Sequence, residues 1–230
     1  KYEGNLNSDL EELCEIFLKN FRRQKIFIAA KVASSLDGFI ANKSNHADKW
    51  ITNAESREYV HELRSWYDAI VVGRSTIEVD NPKLNIRHPI IKKENKLIIL
   101  DPRSKLLKQI LEKKEFNFLK YHKETNIFFA TKSKIPNTNF QQIEFLTLEN
   151  LNTKLWDLGI RSIFIEGGAK TYSGYFQESL IDRLYLFLAP TLFGQAHGIS
   201  WLTEVEKKIH LKNLKLKQFS SDIFVTGRIT

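Results

Sequence analysis

Apolar residues near the start of the chain recur with the spacing of one helical face: Leu10, Leu13, Cys14, Phe17 and Phe21. Ser8 and Glu11 fit a capping box, in which the two side chains satisfy the first free backbone N–H groups of a helix. The pattern therefore predicts a helix over residues 8–22. No catalytic base neighbours Cys14 in sequence, so we interpret this residue as a small core side chain.

Later apolar residues form short runs rather than helical stripes. These runs predict strands at 26–34, 39–41, 68–73, 96–100, 126–130, 161–166, 182–189 and 220–228. Helical patterns fall between them, from a cap at Thr52 or Asn53 to about residue 67, and at 74–79, 148–158 and 168–178. This alternation indicates one α/β domain with a largely parallel sheet. The last strands lack a long intervening helix, which predicts antiparallel pairing at one edge.

Composition narrows the class of protein. The chain has 230 residues, of which 42% are hydrophobic and 27% charged, as in an ordinary globular domain. A single cysteine excludes a disulfide framework and a four-cysteine zinc module, and it favours the cytoplasm. No apolar run approaches the roughly 20 residues of a membrane span. The polar, acidic first residues lead us to expect no signal peptide.

Charge is unevenly distributed along the chain. The formal net charge is +8, and residues 83–134 hold 14 Lys and Arg against 5 Asp and Glu. A basic segment of this kind suits either a nucleic-acid surface or a solvated, lysine-rich connecting region. We favour the second interpretation, because these lysines are not interleaved with the stacking aromatics of a single-strand binder.

Three features are candidates for chemistry. Glu166, Gly167 and Gly168 end an apolar strand and open a helix, an arrangement that suits a pyrophosphate and is also found at ordinary strand–helix corners. Residues 80–87 follow another strand and short helix and carry Arg87, with which Arg64 could converge on a phosphate or carboxylate; the alternative is a surface salt bridge for each arginine.

The third feature is Lys31, a charge within an apolar strand, for which Glu166 is a candidate partner. A paired structural lysine and a catalytic lysine are both compatible with this position. The six histidines are scattered and form no metal-binding motif, and His61 is interpreted as a surface residue. No G-x-S-x-G motif supports a serine nucleophile.

Seven segments carry a family resemblance in chain order: KVASSLDGFIA (31–41), DKWIT (48–52), HELR (61–64), DAIVVGRSTIEVDNPKLNIR (68–87), FIEGGAKTYSGYF (164–176), DRLYLFLAPTLFG (182–194) and SDIFVTGR (221–228). Together they resemble the reductase domain of the bifunctional riboflavin-biosynthesis deaminase/reductase family. The match runs over about residues 25–228, and the combination of SLDG, DNPxLxxR and EGG is what makes it specific.

The resemblance implies a dihydrofolate-reductase-like, three-layer α/β fold with a mostly parallel mixed sheet, and a homodimer. It implies NADPH-dependent reduction of 5-amino-6-(5-phosphoribosylamino)uracil, with hydride delivered to ribose C1′. Residues 1–24 resemble the tail of the family's deaminase domain and a connecting helix, and residues 25–230 its reductase domain. The deaminase signature H-x-E…P-C-x-x-C is absent, so we expect neither deamination nor a bound zinc ion, and the non-methionine start suggests a domain excerpt.

Site residues follow from the resemblance position by position. Lys31 and Glu166 match catalytic positions near the reacting ribose. The matched substrate positions, Glu166 among them, are Asp48, Arg64, Leu84 and Arg87, where the acid Asp48 departs from the small polar residue usual in the family. The matched cofactor positions are Ser34, Trp50, Thr76, Asp80, Gly167, Gly168, Ala169, Lys170, Thr171, Tyr172, Ser173 and Gly174.

Two other functions stay open at the level of sequence. One is an NADPH reductase of a pterin or folate on the same fold, against which the two arginines argue, because those substrates lack a ribose phosphate. The other is a basic nucleic-acid-binding module, which predicts a steep salt dependence of binding and leaves the Glu-Gly-Gly segment without a role.

Overall fold

The computed structural model describes residues 8–42, 50–203 and 205–230. Its strands are β1 (Phe27–Ser35), β2 (Phe39–Asn42), β3 (Ala69–Gly73), β4 (Lys96–Leu100), β5 (Ile127–Thr131), β6 (Gln141–Glu144), β7 (Ser162–Ile165), β8 (Arg183–Ala189), β9 (Gly198–Ser200), β10 (Leu211–Phe219) and β11 (Asp222–Ile229). Its α-helices are α1 (Ser8–Leu13), α2 (Glu15–Arg23), α3 (Ala54–Ser65), α4 (Arg74–Asp80), α5 (Lys105–Leu111), α6 (Leu148–Asp157) and α7 (Ala169–Gln177), and two 3₁₀ turns span Asn117–Lys120 and Glu124–Asn126.

The described strands form one large sheet and one small one. The large sheet has nine strands in the order β10-β11-β8-β1-β7-β3-β4-β5-β6. From β8 to β6 all neighbours are parallel, whereas β11 runs antiparallel to β8 and to β10. The prediction of an α/β fold with a mostly parallel mixed sheet and an antiparallel edge is confirmed. β2 leaves the main sheet and pairs with β9.

Strand β1 shows how the sheet is buried on both faces. Ile28 and Ala30 pack with residues of α6 and α7 on one face, and Phe27 and Ala29 pack with residues of α3 on the other. Successive strand residues point to opposite faces, so both parities must be apolar when helices cover both sides. The result is the three-layer architecture that the family resemblance implies.

The sequence patterns missed β6, β9, β10 and α5. β10 shows the reason most clearly, because the stretch LKNLKLKQF is exposed along most of its length as the outer strand of the sheet. An edge strand need bury neither face, and lysines at an edge oppose unwanted pairing with other chains. The polar sequence of β10 therefore does not predict a strand.

The N-terminal helix differs from its prediction in two respects. It is broken at Cys14 into α1 and α2, and Cys14 is exposed rather than buried. Phe17 and Phe21 are exposed too, and the side chain that is buried is Glu15. Glu15 lies inward because Arg183 of β8 supplies its partner. The side chain of Ser8, on which the predicted capping box depends, lies outside the described side chains.

None of the helices in the described part of the chain combines the length and apolarity that a membrane crossing requires.

Candidate active site

Lys31 and Glu166 meet between two central parallel strands, where Lys31 lies in the middle of β1 and Glu166 directly follows the carboxyl end of β7. Ala30 of β1 lies opposite Ile165 of β7, so the next step of the same register sets Lys31 beside Glu166. Both residues have the parity of Phe27 and Phe164, and their side chains point toward the α3 layer. Lys31 Nζ lies 3.6 Å from Glu166 Oε2, which confirms the predicted pairing. Ligands of open α/β sheets bind at this end of the strands.

Arg64 of α3 completes an ionic cluster. Its Nε donates to Glu166 Oε1 and its Nη2 donates to Oε2 at 2.8 Å, a bidentate pair that fixes the carboxylate plane. α3 is held at its start by Asn53, whose Oδ1 caps the Ser56 N–H at 3.0 Å, and the buried Asp222 accepts from the Asn53 N–H. The helix that presents Arg64 is therefore attached to β11 at its first residues.

The cluster keeps its carboxylate charged. Burial acts to raise the pKa of Glu166, but the positive charges of Arg64 and Lys31 outweigh it and hold that pKa at about 2. The pKa of Lys31 is lowered, chiefly because the side chain is buried and in part because of Arg64, while Glu166 and Asp80 counteract the shift. A lysine with a lowered pKa beside a permanent carboxylate is suited to giving up and taking back a proton.

Arg87 approaches the cluster on the loop of residues 81–87. Arg64 Nη1 donates to the carbonyl oxygen of Asn85 at 3.0 Å, and Arg87 Nη1 donates to Asn85 Oδ1 at 2.8 Å. Arg87 is exposed, whereas most N–H groups of Arg64 are directed to protein acceptors. Leu84 is buried and adopts the left-handed region (φ 56°). Of the two predicted phosphate ligands, Arg87 has the more available guanidinium.

His61 is not the surface residue that the sequence suggested. It is 7% exposed, and its Nδ1 lies 3.2 Å from both Arg64 Nη1 and the backbone nitrogen of Arg87. The spacing of His61 and Arg64, three residues apart on a helix, puts both on one face and was the signal available in the sequence. Arg64 thus contacts the neutral groups of His61 and Asn85 as well as the carboxylate of Glu166.

A close approach of two strand–helix turns lies next to the cluster. A Cβ on Gly73, before α4, would lie 2.6 Å from Thr171 Oγ1, and one on Gly167 would lie 2.6 Å from Thr171 Cγ2. A Cβ on Gly168 would lie 3.2 Å from Thr76 Oγ1. The glycines therefore allow the start of α7 to sit against α4, where its first N–H groups can meet an anion. The arrangement fits a phosphate-bearing cofactor.

The remaining predicted cofactor residues divide into buried and outward-facing groups. Thr171, Tyr172 and Ser173 are buried, and the Tyr172 hydroxyl donates to the Lys31 carbonyl at 2.5 Å. Gly174 lies against Leu148 of α6. Ala169 and Lys170 form the outward part of the first turn. In this segment the backbone, more than the side chains, is placed to contact a ligand.

Three of the predicted cofactor residues lie apart from that turn. Ser34 on β1 is fully buried, and its hydroxyl has no hydrogen-bond partner among the described residues. Trp50 is exposed, with the Arg57 guanidinium 4.8 Å from its ring centroid. Asp80 ends α4 and acts electrostatically on Lys31. Asp48 lies outside the described residues. The roles of these side chains toward ligands stay predictions.

Comparison with known proteins gives consistent matches over nearly the whole chain. Residues 26–225 match the family described as the RibD C-terminal domain. The riboflavin biosynthesis protein RibD of Aquifex aeolicus is 29% identical over 226 residues, covering 96% of this chain and 63% of that protein. The chain thus spans about three fifths of the length of that curated relative.

Solved structures give the same result. A diaminohydroxyphosphoribosylaminopyrimidine deaminase/5-amino-6-(5-phosphoribosylamino)uracil reductase of Thermotoga maritima superposes with a TM-score of 0.78 at 27% identity, covering 96% of this chain and 62% of that one. The yeast riboflavin biosynthesis reductase Rib7 superposes with a TM-score of 0.71 at 20% identity, covering 97% of this chain and 100% of that one, and shows the shared fold.

Proposed function

The chain belongs to the RibD C-terminal domain family, and from that premise we propose that it reduces 5-amino-6-(5-phosphoribosylamino)uracil to the ribitylamino product with NADPH. The observation that carries the proposal is the ionic cluster of Lys31, Arg64 and Glu166 beside the glycine turn of α7. It joins a proton-transferring group to a phosphate-binding turn at one end of the sheet, as a reductase of a phosphorylated substrate requires.

Lys31 supplies the proton in this proposal. Opening of the ribosylamine ring to an imine needs a proton on the ring oxygen, and Lys31, in the middle of β1 and beside Glu166, is the acid with a lowered pKa. Glu166 stays ionised, because Arg64 and Lys31 hold its pKa at about 2. It therefore orients the ammonium group of Lys31 and stabilises the positive charge that develops on the imine.

Arg87 binds the 5′-phosphate of the substrate. Its guanidinium is exposed and anchored by one hydrogen bond to Asn85, which leaves further N–H groups for a bidentate contact. Arg64 contributes mainly by fixing Glu166 and the carbonyl of Asn85.

The start of α7 and Thr76 hold the cofactor. Gly167 and Gly168 leave room for the backbone to approach a pyrophosphate, and the buried hydroxyl of Ser34, which has no partner within the described part of the chain, is a further polar group on a neighbouring strand. When bound, a dihydronicotinamide supplies the hydride that reduces ribose C1′. Cytoplasmic location and a homodimer also belong to the proposal, as does the assignment of residues 1–24 to the tail of a deaminase domain.

The test is loss of NADPH absorbance on addition of the deaminated phosphoribosylaminouracil, with dihydrofolate as the comparison substrate. We expect turnover with the first compound and none with the second. Turnover with dihydrofolate alone would favour a pterin or folate reductase. Absence of NADPH binding, measured by calorimetry, would overturn the cofactor assignment.

A further inference from the structure

Two buried histidines contact the 81–87 loop at different residues. His61 lies on α3 and is 7% exposed, and His122 follows the 3₁₀ turn Asn117–Lys120 and is 6% exposed. Both imidazoles face backbone groups of the loop that carries Arg87. Neither histidine has a place in the proposed chemistry, and a buried imidazole needs a reason for its position.

His61 acts as a hydrogen-bond acceptor. The backbone nitrogen of Arg87 and the Nη1 of Arg64 both lie 3.2 Å from its Nδ1, and each of these groups is only a donor. Nδ1 is therefore unprotonated, and the ring proton of the neutral imidazole is on Nε2. Burial, together with the positive charges of Arg64 and Arg87, lowers the pKa of His61 to about 4 and keeps the ring neutral.

His122 acts as a donor. Its Nε2 lies 3.2 Å from the carbonyl oxygen of Lys83, which can only accept. The start of the 3₁₀ turn is joined to the same loop, because the Asn117 N–H donates to Asn81 Oδ1 at 2.7 Å and Asn117 Nδ2 donates to the Asn81 carbonyl at 2.8 Å.

The loop needs such support because its backbone is strained. Leu84 (φ 56°) adopts the left-handed region, which is unfavourable for a residue with a large side chain, whereas Asn81 (φ 42°) is the left-handed cap that ends α4. The buried Leu84 side chain anchors the middle of the loop. His122 donates to the Lys83 carbonyl before it, and His61 accepts from the Arg87 N–H after it.

We propose that His61 and His122 are positioning residues that fix the 81–87 loop so that Arg87 meets the substrate phosphate already ordered. The inference rests on the proposed function, since it takes Arg87 as the phosphate ligand. His61 works through an acceptor at Nδ1 and His122 through a donor at Nε2. A loop that is ordered before the substrate binds loses no conformational entropy on binding. The two histidines should therefore affect the affinity for the substrate.

The opposite roles of the two rings permit a crossed test with two amides. In His61→Asn the side-chain oxygen takes the place of Nδ1, whereas His61→Gln moves it away. In His122→Gln the side-chain nitrogen takes the place of Nε2, whereas His122→Asn withdraws it. We expect KM for the phosphoribosylaminouracil to rise about 3- to 10-fold in His61→Gln and His122→Asn, the loss of one hydrogen bond, with kcat nearly constant. His61→Asn and His122→Gln should retain most of the affinity.

A second measurement needs no substrate. Hydrogen exchange of the Arg87 amide should be faster in His61→Gln than in wild type and should return toward wild type in His61→Asn. The proposal would be overturned if all four variants had the KM and the Arg87 exchange rate of the wild type. It would also be overturned if KM rose equally in all four, because that result would indicate a role in packing alone. If the wild type fails to reduce the substrate, the proposed function fails, and the exchange experiment still decides whether His61 holds the loop.

Discussion

Two buried ionic clusters lie at opposite ends of the same sheet. The amino-end cluster joins Glu15 of α2 to Arg183 of β8 and Arg228 of β11, with Arg183 Nε 2.6 Å from Glu15 Oε1. The carboxyl-end cluster joins Lys31, Arg64 and Glu166. Both contain a bidentate arginine–carboxylate pair, yet only the second lies where strands lead into ligand-binding loops.

Charge balance separates the two clusters. Around the amino-end cluster, Arg183, Arg228 and Lys215 face three carboxylates, which belong to Glu11, Glu12 and Glu15. Around the carboxyl-end cluster, Lys31, Arg64 and Arg87 are influenced by Glu166, with Asp80 acting on Lys31. Here Arg87 is left exposed, as a site for an anionic substrate requires. A cluster with equal numbers of positive and negative charges can hold helices and strands together. A cluster with an excess of positive charge can also bind an anionic ligand.

The largest effect on stability is expected from Arg183→Met. Arg183 is 1% exposed, and its removal leaves Glu15 buried without its bidentate partner. We expect a loss of about 3–5 kcal/mol in the free energy of unfolding, measured by urea denaturation. The matched control is Lys25→Met, which breaks the exposed pair with Glu149 and should cost less than about 1 kcal/mol. Similar losses in both variants would contradict the special role of the buried cluster.

Glu166→Gln should break the function of the other cluster. The amide keeps the shape of the side chain but removes the charge that orients Lys31, so kcat should fall about 10²- to 10³-fold. Glu15→Gln is the control, because it neutralises the corresponding carboxylate at the amino end and should leave kcat of the folded enzyme unchanged. An undiminished kcat in Glu166→Gln would remove Glu166 from the mechanism.

Acid should weaken the carboxyl-end cluster in a defined range. The pKa of Glu166 is about 2 in the folded protein against an ordinary 4.5, so its contribution is complete above pH 4.5 and is lost as the pH falls toward 2. The shift corresponds to about 3 kcal/mol. Acid titrations should show the stability difference between wild type and Glu166→Gln shrinking over that range. The pKa of Asp182, next to the amino-end cluster, is shifted in the opposite direction. Burial raises it, although the nearby charge of Lys19 acts to lower it.

Arg87→Ala should give the smallest of the four effects. Loss of one charge-assisted contact costs about 1.5–3 kcal/mol, so KM for the phosphorylated substrate should rise about 10- to 100-fold with kcat little changed. Arg87→Lys should recover part of the affinity, because it keeps the charge without the bidentate geometry. An unchanged KM in steady-state kinetics would show that Arg87 does not bind the phosphate and that another residue does.

The sequence identified part of the candidate ionic cluster, and the residues that it missed have physical causes. The run from Lys31 to Ser34 and the Glu-Gly-Gly segment could be recognised because each carries its signal in adjacent residues. His61 was assigned to the surface, since its two donors are Arg64 and the backbone of Arg87, and the second lies 26 residues away. The burial of Glu15 could not be predicted for the same reason, because its partner Arg183 lies 168 residues away in the chain.

What the sequence determined by itself is the local framework: alternating strands and helices, the glycines before α7 and the carboxylate at the end of β7. Those features depend on spacing and backbone freedom, which neighbouring residues specify. Only the tertiary structure decided which charges meet, which face of the N-terminal helices is buried, and how His61 and His122 hold one loop. Buried polar groups must find partners, and those partners are fixed by strand order and helix placement rather than by adjacency in the chain.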